Sequence, residues 1–113
     1  MNTKIENPDE TATNHDVALS LRDLTSFVAV ARAGGVTRAA RELGYAQATL
    51  SAHLAALQSA IGVPLIEPER RGAPLTEAGR TVLARAKALL RDAAALHRAA
   101  LFLPAAAVVM TLQ

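Results

Sequence analysis

The sequence of 113 residues contains no cysteine and no tryptophan. Its large aromatic residues are one Tyr and two Phe. Without cysteine, disulfide bonds and thiolate metal sites are excluded. The three histidines, His15, His53 and His97, are scattered and indicate no chelating cluster. No nucleophile lies beside a base and no glycine-rich phosphate loop is present. We therefore expect no metal, no cofactor and no catalytic residue, and hence a protein that is not an enzyme.

The sequence also lacks a hydrophobic run long enough to cross a membrane. Residues 99–112 are apolar, but these 14 residues fall short of the roughly 20 that a spanning helix needs, and Pro104 interrupts them. The N-terminus is polar and acidic and has no secretory signal. These features predict a cytoplasmic protein without a membrane partner.

Alanine and leucine dominate what is present. Hydrophobic residues make up 51% of the chain and aromatic residues only 3%, which favours closely packed helices. Residues 1–16 carry one lysine against four acids, a net charge of −3, whereas the rest carries eleven basic residues against six acids, a net charge of +5. A polyanion partner would explain this bias, and so would a domain that is simply rich in arginine.

Helical periodicity starts at Leu21, after a polar stretch over residues 1–18 that we predict to be a disordered arm. Apolar residues then recur at three- and four-residue spacings up to Gly34 and Gly35, which predicts a first helix ended by these glycines. The residues with this spacing are Leu24, Phe27, Val28 and Ala31.

Two further helices are predicted around a tight turn at Gly44. The second helix begins at Thr37, a good N-cap residue. The third helix runs from about Gln47 to Ala60, and Gly62 ends it. The predicted inward residues are Ala39, Ala40 and Leu43 in the second helix and Leu50, Leu54 and Leu57 in the third. Two helices joined by a short glycine-containing turn predict a helix-turn-helix.

Helical periodicity stops where three prolines interrupt the chain, Pro64, Pro68 and Pro74. Short apolar segments lie on either side of the basic pair Arg70-Arg71 and could pair as two strands. This pattern predicts a small β-hairpin, a wing, with a basic tip.

A long helix is predicted from Thr76, a good N-cap residue, to about Leu103. In this helix apolar residues recur every seven positions, with an alanine four residues after each of the first three. The stripe consists of Val82, Ala86, Leu89, Ala93, Leu96 and Ala100. Leucine alternating with alanine lets two helices approach closely, so we predict a homodimer through an antiparallel pair of these helices. The alternative is an amphipathic helix that folds back on its own domain.

Together these elements predict a mainly α fold, in which three helices and a β-hairpin wing form a winged helix-turn-helix and a long linker helix follows. The predicted segments are the arm at 1–18, the winged helix-turn-helix at 19–76, the linker or dimerisation helix at 77–103 and an apolar tail at 104–113.

The head of the third helix carries uncharged polar side chains, Gln47, Thr49 and Ser51, and no acid occurs from Gln47 through Ala60. A helix in the DNA major groove must donate and accept hydrogen bonds at base edges, which these side chains can do. Carboxylates there would be repelled by phosphate. The pattern favours double-stranded DNA recognition over catalysis. Taken singly, each residue also fits a solvent-exposed position, and His53 fits a surface or phosphate-contacting residue better than a metal ligand.

Residues 21 to about 90 resemble the N-terminal winged helix-turn-helix domain of LysR-type transcriptional regulators. The resemblance rests on "LRDLTSFVAVARAGGVTRAARELGYAQATLSAHLAALQSAIGVPLI" and "RRGAPLTEAGR". These stretches contain a T-R-A-A-x-x-L helix, a Q-x-x-L-S helix and an L-T-E-A-G segment in the family's order and spacing. The resemblance implies a dimeric, nucleoid-associated DNA-binding transcription factor.

By position, the resemblance implies that Gln47, Thr49 and Ser51 of the recognition helix contact bases and phosphates. It also implies that Thr37 and Arg38 meet the DNA backbone and that the wing arginine, Arg71, reaches the adjacent minor groove or phosphates. The full set of predicted DNA-binding residues is Thr37, Arg38, Gln47, Ala48, Thr49, Ser51, His53, Arg70 and Arg71. It also implies dimers through antiparallel linker helices, which agrees with the seven-residue stripe.

The sequence departs from the family pattern at several positions. It has Ala48 and Ala52 where the family often has Pro and Arg, Pro68 where an arginine is common and Ile66 where an aromatic residue is common. Each lost base contact should weaken DNA binding by about 1–3 kcal/mol. These differences bear on affinity and operator sequence rather than on the fold.

Family members normally continue into a periplasmic-binding-like effector domain, whereas this sequence ends after the linker helix. We therefore expect no small-molecule effector site, and a short regulator, a truncated member and an isolated domain all remain open. The alternative function is a protein-interaction module that forms mixed dimers with full-length relatives.

Overall fold

The computed structural model describes residues 19–68 and 70–102. The predicted arm and tail, together with Leu103, lie outside the described residues. Four helices are present in the part described: α1 (Leu21–Ala33), α2 (Val36–Leu43), α3 (Gln47–Ile61) and α4 (Glu77–Leu101). Their order and approximate positions agree with the helices expected from the periodicity. No helix in the described ranges is both long enough and apolar enough to cross a membrane.

The turn between α1 and α2 starts the second helix earlier than predicted. Gly34 ends α1 in the left-handed conformation with φ 78°, and the extended Gly35 leads directly into α2. Thr37 therefore lies inside the first turn of α2, and its prediction as the N-cap is wrong. The N-cap is Gly35, which offers no side chain to the free N–H groups of this helix end.

The turn between α2 and α3 has the conformation expected for a helix-turn-helix. Gly44 adopts φ 75°, in the left-handed region that residues with a Cβ rarely occupy. The N–H of Tyr45 then donates to the Ala40 carbonyl oxygen at 2.9 Å. This backbone hydrogen bond closes the short connection between the two helices. It therefore helps to set how α3 is placed against α2.

The core forms around α1, which packs against α2, α3 and α4, while α2 and α3 also pack against each other. The predicted inward side chains of α3 are buried, as are Ala39 and Ala40 of α2. The largest fully buried hydrophobic side chains are Phe27, Val30, Leu50, Leu57 and Leu65. Burying each large aliphatic or aromatic side chain stabilises a fold by about 1.5–3 kcal/mol, so this cluster holds α3 in place.

The wing is smaller than the predicted hairpin. Within the described residues no strand forms, and one isolated antiparallel bridge joins Ile66 to Leu75. The Glu67 N–H donates to the Pro74 carbonyl oxygen at 2.8 Å, and the Thr76 N–H donates to the Leu65 carbonyl oxygen at 3.0 Å. Because Pro68 and Pro74 have no N–H, the ladder cannot extend toward the tip.

A tight joint connects the wing to α4. The Thr76 hydroxyl accepts a hydrogen bond from the Gly79 N–H at 2.9 Å and donates to the Pro64 carbonyl oxygen at 2.8 Å. A Cβ at Gly79 would overlap the carbonyl oxygen of Leu65. The predicted N-cap of α4 at Thr76 is confirmed, and the helix can lie this close to the wing only because position 79 has no side chain.

Candidate nucleic-acid interface

The first turns of α3 present a polar surface without acidic side chains. Gln47, Thr49 and Ser51 are exposed, as is Ala48, while the intervening Leu50 is fully buried and anchors this end of the helix. The N-cap position is Ala46, whose side chain makes no hydrogen bond to the first turn. Free N–H groups and the helix dipole make such an end favourable for an anion such as a phosphate.

A side-chain hydrogen bond joins the start of α2 to the start of α3. Thr37 Oγ1 donates to Gln47 Oε1 at 3.1 Å, and both side chains are exposed. Arg38 follows Thr37 in the first turn of α2 and is also exposed. The structure therefore brings Thr37 and Gln47 into direct contact, ten residues apart in the sequence.

The wing lies beside the start of α2. A cleft of about 530 Å³ is bordered by the α1–α2 turn, the first residues of α2 and the wing, and its lining includes Thr37, Arg38 and Arg70. A Cβ at Gly72 would lie 3.6 Å from the Gly34 carbonyl oxygen, so the wing backbone packs closely on that turn. Two arginines from distant parts of the sequence thus line one cleft.

Arg70 also lines a second cleft, of about 370 Å³, between the wing and α3, together with Leu54, Gln58 and Ile66. Its neighbour Arg71 is exposed and lines neither of these two clefts. Of the two predicted wing arginines, the structure therefore brings Arg70 close to both helices of the helix-turn-helix.

Gln58 connects α3 to the wing and was missed by the sequence reasoning. Its Oε1 accepts hydrogen bonds from the Leu65 N–H at 2.8 Å and the Ile66 N–H at 3.2 Å. The signal in the sequence was an amide next to the inward Leu57, shortly before the α3 terminus. Its partners are backbone groups of a loop, which no side-chain pattern reveals.

His53 is not part of the exposed surface, so its prediction as a DNA-contacting residue is wrong. Its side chain is buried, with the residue only 7% exposed, and its Nδ1 forms a 2.8 Å hydrogen bond with Ser26 Oγ of α1. The Tyr45 ring packs edge-on against the imidazole at a centroid distance of 5.0 Å. Position 53 lies three residues after Leu50, a spacing that places it on the inward face of α3.

The ion pairs within residues 19–68 and 70–102 involve none of the residues of this surface. Arg32 bonds Glu42 at 2.8 Å and so joins α1 to α2, and Arg22 Nε lies 3.3 Å from Asp23 Oδ1. The same residues contain no group of three His, Cys, Asp or Glu side chains that could hold a metal ion. The chemistry available at the surface is hydrogen bonding and attraction of anions.

The predicted dimer stripe on α4 divides into two parts. Ala86 is 1% exposed and belongs to the core, and Val82 packs against that core, so the prediction of Ala86 as a dimer contact is wrong. Ala93 is half-buried, whereas Leu89 and Leu96 are 47% and 73% exposed and Ala100 is exposed. A strict seven-residue repeat drifts by about 20° per heptad around a straight α-helix, so one stripe can face the core at one end and solvent at the other.

Sequence comparisons find one matching family profile and related bacterial regulatory proteins. The profile described as "Bacterial regulatory helix-turn-helix protein, lysR family" matches residues 21–80. The Small neutral protease regulatory protein of Streptomyces coelicolor is 49% identical over 82 residues, which are 73% of this chain and 25% of that protein. The Hca operon transcriptional activator HcaR of Escherichia coli is 43% identical over 75 residues, which are 66% of this chain and 25% of that protein. The chain thus spans about a quarter of the length of these curated relatives.

Solved structures share the fold. The BenM DBD in complex with catB site 1 DNA matches with a TM-score of 0.68 and 31% identity, covering 71% of this chain and 86% of that chain. The CbnR DBD in complex with DNA matches with a TM-score of 0.69 and 34% identity, covering 73% and 94%. The predicted fold class, a mainly α winged helix-turn-helix followed by a long helix, is confirmed.

Proposed function

The chain belongs to the lysR family of bacterial regulatory helix-turn-helix proteins, and on this premise we propose that it regulates transcription by binding specific double-stranded DNA sequences as a dimer. In this proposal α3 enters the major groove, and α2 and the wing contact the flanking backbone. Since the target is chromosomal DNA, the protein acts in the cytoplasm, at the nucleoid.

One observation supports the proposal most strongly: three elements contribute polar or basic side chains to adjoining positions. Thr37 of α2 bonds to Gln47 of α3, and Arg38 of α2 lines the same cleft as Arg70 of the wing. Gln47 and Ser51 offer both donors and acceptors for base edges. The arginines offer charge for phosphates, whose neutralisation supplies much of the affinity of DNA-binding proteins.

The test is binding of the full chain to duplex DNA across a salt series, with fragments from upstream of its own gene and random duplex as competitor. The logarithm of the affinity should fall with the logarithm of the salt concentration by about 0.9 for each phosphate contacted. Arg38→Gln should reduce that slope by about 1 and weaken all sequences alike. Arg85→Gln, an equal change of charge on the exposed side of α4, is the control. A slope near zero with no preference over random duplex would refute the proposal.

The dimeric part of the proposal is supported by the second half of α4. Leu89 and Leu96 are seven residues apart and leave much of their side chains in solvent, and burial of each in an interface would contribute up to about 1.5–3 kcal/mol. The alternating alanines allow close approach of a second helix. Symmetric pairing of two copies would cover both leucines.

The same exposed leucines support the second candidate function, an interaction module that forms mixed dimers with full-length relatives. Such a protein would lower the regulator's activity by drawing full-length subunits out of their own homodimers. Co-expression with a tagged full-length relative tests it. The candidate requires recovery of mixed dimers, and their absence under conditions where each protein forms homodimers would exclude it.

A further inference from the structure

The hydrogen bond between Thr37 and Gln47 determines which chemical group of the Gln47 carboxamide is available to a base. We propose that Thr37 orients this carboxamide so that α3 presents its amino group, a donor, and thereby favours guanine or thymine over adenine. This inference rests on the proposed DNA-binding function. It assigns Thr37 as a positioning residue for base selection.

The geometry starts from the direction of the two carboxamide atoms. Gln47 Oε1 accepts from Thr37 Oγ1 at 3.1 Å, and Thr37 belongs to α2, so the oxygen points toward α2. The nitrogen Nε2 is bonded to the same carbon on its other side and therefore points away from α2. A glutamine amide can turn over and exchange donor for acceptor, and a threonine hydroxyl can bond to either of its ends. Here the hydroxyl donates, so the amide oxygen is the atom held against α2.

The anchor itself is held in place by the fold. Threonine is branched at Cβ and has restricted χ1 freedom in a helix. The turn between the two helices is closed by the hydrogen bond from the Tyr45 N–H to the Ala40 carbonyl oxygen at 2.9 Å, and Leu50 is fully buried one turn after Gln47. The backbone and core contacts thus set the separation of the two backbone positions from which the Thr37 and Gln47 side chains meet.

The consequence concerns base chemistry in the major groove. Paired recognition of adenine by glutamine uses the amide oxygen for the adenine amino group and the amide nitrogen for N7. With the oxygen directed toward α2, the remaining amino group suits O6 or N7 of guanine or O4 of thymine. At adenine it can reach N7, but the neighbouring N6 amino group is a second donor that then has no acceptor to meet. Thr37 therefore disfavours the pairing with adenine that glutamine alone would make.

The expectation from the sequence was that Thr37 contacts the DNA backbone. The two roles give different results when the hydroxyl is removed. Loss of a phosphate contact weakens binding to all sequences equally, whereas loss of an orienting contact changes the preferred base at one position. Base preference is a readout that a merely structural role of Thr37 would not move.

The experiment selects duplexes from a randomised pool with the full chain and sequences the bound fraction. Gln47→Ala identifies the position read by Gln47, because the preference there disappears. Thr37→Val removes the hydroxyl and keeps the side-chain shape, and Thr37→Ser retains the hydroxyl. Thr25→Val is the matched control, since the Thr25 hydroxyl is also exposed and donates to the Leu21 carbonyl oxygen within α1.

The wild type should prefer guanine or thymine over adenine at the Gln47 position by at least about fivefold, at the low end of the discrimination that one base contact provides. Thr37→Val should reduce that ratio to below about twofold with a gain of adenine, and Thr37→Ser and Thr25→Val should leave it unchanged.

Three results would overturn the inference while leaving DNA binding intact. They are a uniform loss of affinity in Thr37→Val without change of base preference, selection of adenine by the wild type at that position, and a Gln47→Ala variant that alters no position. A wild-type chain that enriches no sequence at all would instead refute the proposed function and this inference with it.

Discussion

Gln58→Ala should loosen the wing from the recognition helix. In the native structure one amide oxygen accepts from the Leu65 N–H at 2.8 Å and the Ile66 N–H at 3.2 Å. Leu65 is fully buried, so water cannot easily replace the oxygen at its backbone. The substitution removes the acceptor from both donors at once and leaves α3 otherwise helical, because alanine is the best helix former.

The expected loss follows from the cost of an unsatisfied donor. A buried N–H left without a partner costs about 1–3 kcal/mol, and the more distant Ile66 bond adds less because Ile66 is half-buried. For a domain of this size each kcal/mol lowers Tm by about 4–8 °C. Urea unfolding followed by circular dichroism should show a lower midpoint with an unchanged m-value. DNA affinity should fall too, because Arg70 would no longer be held beside α3.

Two further variants separate the hydrogen bonds from other effects of the change. Gln58→Glu keeps an acceptor oxygen at the same reach and should retain most of the stability. Ser59→Ala, at the exposed neighbouring position, should be nearly neutral. The reasoning is refuted if Gln58→Ala is as stable as Ser59→Ala, or if Gln58→Glu loses as much stability as Gln58→Ala.

Three other changes have defined outcomes. Gly79→Ala should destabilise the domain by about 1–3 kcal/mol or more in urea unfolding, because the new Cβ meets the Leu65 carbonyl oxygen. Leu89→Asp combined with Leu96→Asp should give a monomer in analytical ultracentrifugation, because a dimer would have to bury two carboxylates from each copy. Ser26→Ala should lower stability by about 1–3 kcal/mol, because it leaves the buried His53 Nδ1 without its partner.

Each of these changes has a matched control. For Gly79→Ala the control is Thr81→Ala, at an exposed position nearby on α4. For the double leucine variant it is Ala84→Asp with Ala95→Asp, which adds the same charge at exposed α4 positions. For Ser26→Ala it is Thr25→Ala, which removes an exposed hydroxyl from the neighbouring residue. Equal stability of Gly79→Ala and Thr81→Ala would contradict the close approach. Persistence of dimers in the double leucine variant would exclude the α4 seam, and a neutral Ser26→Ala would show that the buried hydrogen bond contributes little.

Local sequence signals were sufficient for most of the fold. The glycine at 44 permits a left-handed turn that other residues resist, and the leucines at 50, 54 and 57 repeat with the period of one helix face. Thr76 has the hydroxyl that an N-cap requires. Each of these signals acts within a few residues of the structure it determines, so the chain could be interpreted without knowledge of its tertiary contacts.

The predictions that failed concern residues whose contacts lie far away in the sequence. His53 follows Leu50 at a helical spacing that points inward, but only the contact with Ser26 of another helix explains how a polar ring is satisfied there. Ala86 belongs to the same seven-residue repeat as Leu96, and a repeat alone cannot tell the core of one chain from the seam between two. The role of Gln58 depends on a loop that the pattern of side chains does not place.

The hydrogen bond between Thr37 and Gln47 could also not be predicted from the sequence. The family resemblance implies that each of the two residues contacts DNA, and it implies no contact between them. Their direct contact depends on the angle between α2 and α3, which the buried core and the turn at Gly44 set together.

The absence of a side chain at Gly79 has a mechanical consequence. There the long helix touches the backbone of the wing, so the direction in which α4 leaves the domain is set by main-chain atoms that cannot change rotamer. The 15 residues of α4 beyond Ala86 extend about 22 Å at 1.5 Å per residue and act as a rigid lever. If two copies pair along these parts of α4, the contact between Gly79 and the wing would determine the distance between the two DNA half-sites. A methyl group at position 79 would then change that distance.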